Sequence, residues 1–184
     1  MVFSDDTALL DELATPYRAK AAFWRLLERG RAALPSVMRG LSDARADVRF
    51  HCCRLLDHLV APDGFGALLD MLDDPDPRVR SAALHSLTCD RCKEGVCLPT
   101  DGPLLERAMA LMVSDPDDHV RAMAVGAVGR SVHSQAVAGA ALVEVARTDP
   151  SPAVRKKARW YVPGGPLFER MRLAAERRRR KTKG

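Results

Sequence analysis

The feature that most constrains this chain is a short phrase that it repeats. Four segments align without gaps: Asp43-Ala-Arg-Ala-Asp-Val48-Arg49, Asp74-Pro-Asp-Pro-Arg-Val79-Arg80, Asp115-Pro-Asp-Asp-His-Val120-Arg121 and Asp149-Pro-Ser-Pro-Ala-Val154-Arg155. Aspartate opens each, Val-Arg closes each, and proline follows the aspartate in three. The Val-to-Val spacings are 31, 41 and 34 residues. A period of that size marks a stack of small units, none of which buries its apolar face alone.

Each unit reads as a helix, a tight turn and a second helix. Proline after Asp74, Asp115 and Asp149 stops the preceding helix. Asp76, Asp117 and Ser151 are suited to cap the next helix with a side-chain oxygen, and Pro77 and Pro152 fit its first position. The second helices carry apolar groups at helical spacing: Val48, Cys52, Leu56; Val79, Ala83, Leu87; Val120, Ala124, Val128. The middle position is always small, which lets neighbouring helices approach closely. Preceding helices are read at Gly64 to Leu72, Pro103 to Met112 and Gln135 to Ala146.

With these residues in view, the chain resembles HEAT repeats, in particular the short bacterial HEAT-like repeats shared by lyase or chaperone subunits of the phycobilisome type. The resemblance covers roughly residues 43–162. It implies an all-α fold, an α-α superhelix of about five helical pairs. It also implies a ladder of structural ion pairs between adjacent repeats, drawn from Asp43, Asp74, Asp115, Asp149 and Arg49, Arg80, Arg121, Arg155. HEAT-like folds imply binding surfaces more often than catalysis, so the partner is expected to be another protein, identity open.

The ends complete the division. Residues 1–42 are read as N-terminal helices, with a degenerate first pair at 16–41 that breaks at Gly30. Residues 163–178, after Val162-Pro-Gly-Gly-Pro166, are read as a capping helix with Leu167, Phe168, Met171 and Ala175 on its apolar side. Residues 179–184 are read as a basic, disordered tail. The acidic N-terminus is no signal peptide, and no run of about 18 apolar residues predicts a membrane span. The expected location is the cytoplasm.

The net charge of +5 is unevenly spread. Residues 155–184 hold twelve Lys/Arg against two Asp/Glu, while residues 1–154 hold seventeen against twenty-two. The basic end supports an alternative, nucleic-acid binding through Lys156, Lys157, Arg159, Arg177, Arg178, Arg179, Arg180 and Lys181. Trp160 and Tyr161 would then stack on bases. Some alkylpurine DNA glycosylases are built of HEAT-like repeats, which keeps a base-repair activity open. Against it stands the acidic body, where no basic groove is evident.

The 41-residue spacing carries a surplus at about residues 88–102, an insertion between two repeats. The pattern His85-x3-Cys89-x2-Cys92-x4-Cys97 starts on the helix before it and places its three cysteines within it. A Cys-x2-Cys turn lets two thiolates bind one tetrahedral metal, and Gly95 can return the third; His85, four residues before Cys89, supplies an imidazole. The reading is structural zinc on Cys89, Cys92, Cys97 and His85, with Asp90 or water as substitutes for His85. The competing readings are a redox pair at Cys89 and Cys92, or inert loop thiols. Cys52 and Cys53 are expected in the core. No phosphate loop, nucleophile elbow or metalloprotease helix occurs, so no catalytic residues are assigned and the chain is expected not to be an enzyme.

Overall fold

A computed structural model describes residues 3–59, 64–89 and 102–181, with side chains described from 6 to 176 within those spans. All regular elements among the described residues are helical. The chain divides into two compact units, residues 1–98 and 99–184.

The first unit contains α1 (Phe3–Leu13), α2 (Pro16–Glu28), α3 (Leu34–Gly40), α4 (Ala46–Leu59), α5 (Phe65–Asp70) and α6 (Pro77–Thr88). Leu9, Leu10 and Leu13 of α1 pack with Ala22, Phe23 and Leu26 of α2, all buried. The extra helical pair is therefore α1 with α2, not the 16–41 pair read from sequence. Gly30, at φ 56, ends α2 in the left-handed region that glycine adopts without strain. The chain then makes a 3-10 turn and starts α3, which packs on α4 as the first helix of the Asp43 repeat. α5 runs into a second 3-10 turn, Met71–Asp73, before the Asp74 turn.

The second unit contains α7 (Gly102–Ser114), α8 (Asp118–Gly129), α9 (Ala136–Thr148), α10 (Pro152–Ala158) and α11 (Pro166–Lys181). The backbone of α11 is helical to Lys181, three residues into the stretch read as a disordered tail. Arg172 bonds Glu169 and Glu176 along this helix, pairs at helical spacing that support an otherwise highly charged segment. Leu167, Phe168, Met171 and Ala175 are only partly buried. The first turn of α11 is anchored by backbone: Leu167 and Phe168 N–H donate to the Trp160 carbonyl at 3.0 and 2.9 Å.

The repeated phrase has one geometry in all four places. The aspartate Oδ1 accepts from the backbone N–H two residues on: Arg45, Asp76, Asp117 and Ser151, at 2.8–2.9 Å. This Asx turn sets the bend between the two helices. The arginine six residues later donates Nη1 back to the carbonyl of the same aspartate, as Arg49 does to Asp43, Arg80 to Asp74, Arg121 to Asp115 and Arg155 to Asp149. Within the first unit Arg49 also reaches the next aspartate, Asp74, with a fork of 2.6 and 2.9 Å. Within the second, Arg121 holds Asp149 at 2.9 and 3.1 Å. Asp43 is held instead by Arg45.

Asp76 and Asp117 cap α6 and α8, accepting from Arg78 and Val120 N–H. Ser151 begins α10 without a side-chain cap; its hydroxyl donates to Asp118 at 2.9 Å. The hydroxyl is turned onto a charged acceptor of the neighbouring helix α8 rather than over the first N–H groups of α10. Val48, Cys52, Val79, Ala83, Val120, Ala124, Val128, Val154 and Ala158 are fully buried, which places the small middle position at the centre of each interface.

Candidate functional site

α4 and α6 pack side by side in the first unit, and their C-terminal ends bring three chemically distinct side chains together. Asp57 comes from α4; His85 and Cys89 come from one face of α6, four residues apart. One ligand atom from each lies within 4.8 Å of the other two. α6 ends here: Cys89 turns to extended backbone, and its N–H closes the last helical bond on the His85 carbonyl at 2.8 Å. The insertion therefore leaves the fold at a thiol already placed beside an imidazole.

The electrostatics are those of a buried acid with a half-exposed base. The Asp57 side chain is 4 % exposed and that of His85 55 %. His85 Nε2 stands 3.5 Å from Asp57 Oδ2. The hydrogen bond to Asp57 raises the His85 pKa above 6.5, with Cys89 adding and burial opposing. Cys92 and Cys97 lie outside the described residues. His85 projects away from the buried stripe of α6, on the exposed side of that helix.

The other cysteines are of a different kind. Cys52 and Cys53 are fully buried in α4. Burial pushes the Cys53 thiol up to about 12 and Cys52 higher still, so both stay protonated.

A second feature of the first unit is an open cavity of about 520 Å³ between α2 and α4, near the end of α1. Phe23 is among its lining residues. The Phe23 ring meets Trp24 edge-on at 5.9 Å and His51 at 6.1 Å, and the Arg54 guanidinium lies 5.0 Å from its centroid. His58 meets Phe23 from another side at 5.9 Å. His51 and His58, seven apart on α4, thus share an aromatic partner. Trp24 is 52 % exposed and Tyr17 99 %.

The basic end of the second unit is partly structural. Lys157 folds over Gly126, and its ammonium is half-buried, which lowers its pKa. The Tyr161 ring lies on Gly129 so closely that a Cβ there would stand 2.2 Å from it. Tyr161 is thereby a packing residue. Trp160 remains 40 % exposed, and Lys156 and Arg159 are exposed. The side chains of Arg177, Arg178, Arg179, Arg180 and Lys181 lie outside the described ones.

Sequence reasoning missed Asp57. A signal was present: nine residues past the repeat valine, the other helices carry Thr88 and Gly129, so an aspartate there departs from the repeat.

Residues 34–110 match the family of HEAT repeats. No curated protein matches the chain. Among solved structures, the complex of CpcE and CpcF of phycocyanin lyase from Nostoc sp. PCC7120 contains a chain of similar fold. The TM-score is 0.64 at 19% identity, over 86% of this chain and 98% of that one. The fold is all-α and HEAT-like. Among the described residues no helix is long and apolar enough to cross a membrane.

Proposed function

Because the chain carries HEAT repeats, we propose that it works through its surfaces, as a non-catalytic protein-interaction scaffold with a structural zinc site in the insertion between two repeats. The observation that carries the interaction reading is the aromatic and cationic surface of the first unit. Tyr17 and Trp24 stand exposed on α2, and Arg54 stacks on Phe23 beside the open cavity. Tryptophan, tyrosine and arginine are the residues that dominate protein interfaces, and a cavity beside them gives a partner side chain a place to enter. The solved neighbour of similar fold is itself found in a complex of two proteins.

The non-catalytic part rests on where the reactive groups go. Asp74 and Asp149 are held in Asx turns and arginine forks. Cys52 and Cys53 are sealed and protonated. These carboxylates and thiols are engaged in holding the repeats, and His85 and Cys89 are assigned to the metal.

The zinc site takes Cys89, Cys92, Cys97 and His85 as ligands. Its support is the placement of His85 and Cys89 side by side at the point where the insertion begins. Zinc binding worth about 10–16 kcal/mol would order a short polar loop that has little apolar surface of its own.

The interaction reading is tested with the full chain as bait. A partner retained by wild type and lost with Trp24→Ala or Arg54→Ala supports it. Retention that is indifferent to both variants places the contact elsewhere and overturns the assignment of this surface. Metal content of the purified chain tests the second part: about one zinc per chain is expected, and wild-type protein that takes up no zinc removes it.

A further inference from the structure

The ligands assigned above all come from α6 and the insertion that follows it. The geometry adds a group from a different helix. Asp57 of α4 sits in the interface with α6, and its Oδ2 is 3.5 Å from His85 Nε2. That separation is long for a charge-assisted hydrogen bond, which closes to about 2.7–2.9 Å. It is close to the edge of a zinc tetrahedron, about 3.3 Å for oxygen and nitrogen each bound at about 2.0 Å. The Cys89 sulfur lies within the same 4.8 Å envelope, where small rotations of exposed and half-exposed side chains bring it to bonding distance.

Burial and repeat position argue the same way. A carboxylate with 4 % of its side chain exposed is costly to keep charged. A divalent cation beside it would offset that cost. The repeat does not require an acid here, since the equivalent positions hold Thr88 and Gly129. Ser86, at the place where the second unit puts the bulk of Tyr161, is small and turns its hydroxyl onto the Cys53 carbonyl at 2.8 Å. The space next to Asp57 is thus left for His85 and Cys89.

We propose that Asp57 is a metal ligand together with His85 and Cys89, and that the bound ion fastens α6 to α4. The donor set of one carboxylate, one imidazole and one thiolate suits zinc, which accepts all three. These ligands fill three of the four positions of a tetrahedral site, so at most one further thiol of the insertion completes it and the four-ligand set above loses a member. The inference rests on the metal reading above but changes its consequence: the ion joins the helices of two repeats.

Two measurements on the full chain decide it. X-ray absorption of the zinc-loaded wild type needs no variant. A first shell with at least two nitrogen or oxygen scatterers supports Asp57, and a shell of three sulfurs and one nitrogen overturns it while leaving the loop site standing. The second measurement strips the chain with a chelator, titrates it with Co²⁺ as a spectroscopic probe, and then displaces the probe with Zn²⁺. Asp57→Asn should weaken zinc binding by at least about 100-fold, since loss of even an outer-shell partner costs 10–100-fold. Asp57→Cys should restore binding and add sulfur-to-cobalt charge-transfer intensity, which a merely structural aspartate would not produce. Unchanged affinity and spectrum in Asp57→Asn overturn the proposal. Wild-type protein that binds neither ion overturns the metal reading itself.

Discussion

Nine residues past the repeat valine, the first unit places Asp57 and the second places Gly129. Around Gly129 the solution is apolar: the Tyr161 ring, just past the end of α10, lies against the backbone of α8, closer than any side chain would allow. Around Asp57 the solution is polar: a buried carboxylate faces His85 and Cys89 of α6. What the two units share is the clasp beneath, Arg49 on Asp74 and Arg121 on Asp149, with matching burial of the paired side chains. The repeat thus separates two tasks. The clasp and the Val-Ala-Leu stripe hold one helical pair against the next, and the end of each second helix is free to take on something else. In the second unit it takes more packing; in the first it takes chemistry.

If the clasp is common ground, breaking it is the most damaging change in either unit. Asp149→Ala leaves Arg121 buried without its carboxylate and the Ser151 N–H without its acceptor. A loss of about 3–5 kcal/mol is expected, read by urea denaturation. Asp74→Ala in the first unit should cost a similar amount. Adding Arg121→Met to Asp149→Ala should recover part of the loss, because the uncompensated charge goes with it. A cost below about 1 kcal/mol, the range of surface pairs, would mean that the clasp is ornamental.

The next test strikes the contrast itself. Gly129→Ala would set a methyl group 2.2 Å from the Tyr161 ring, at its body rather than its tip, so the ring must leave its place. Overpacking of that kind costs about 1–3 kcal/mol in thermal or chemical unfolding. In the first unit the residue of α6 that matches Tyr161 is Ser86, and its change is gentler. Ser86→Ala removes a buried bond to the Cys53 carbonyl without adding bulk, and about 1 kcal/mol is expected from the same measurement. If Gly129→Ala were the milder of the two, Tyr161 would not be the packing residue that its contact implies.

Much of this was legible in sequence, for a physical reason. The Asp-Pro and Val-Arg phrase encodes local geometry, so four copies fixed the turns, the second helices and the fully buried Val-Ala stripe. The pairing of the first helices was less legible. α3 is short, and its assignment to α4 depends on where Gly30 ends α2, which a stretch of degenerate apolar residues does not announce. Ser151 was misjudged as a cap because the carboxylate that orients its hydroxyl, Asp118, is 33 residues away. At the candidate site the sequence supplied His85 and Cys89, which are neighbours on one helix. It withheld Asp57, which becomes their neighbour only when α4 and α6 pack.

The smallest expected effect again compares one repeat position in two units. Three residues past the repeat valine stand His51 on α4 and Lys157 on α10, both half-buried bases whose pKa burial lowers. For His51, Arg54 and Arg78 add to the lowering and Asp47 opposes it, and the Phe50 and Phe23 rings stand 5.1 and 6.1 Å away. The unfolded chain then takes up the His51 proton near 6.5, and the folded chain only at lower pH. Stability from this group is complete above that value and declines as the pH falls from there toward the folded pKa. Lys157 starts from 10.5, so its window lies on the alkaline side. His51→Gln should therefore flatten the decline in melting temperature between about pH 7 and about pH 5, and Lys157→Met should leave that decline as it is. An acid slope that survives His51→Gln, or vanishes in Lys157→Met, would show that the two positions are not equivalent in the way the repeat places them.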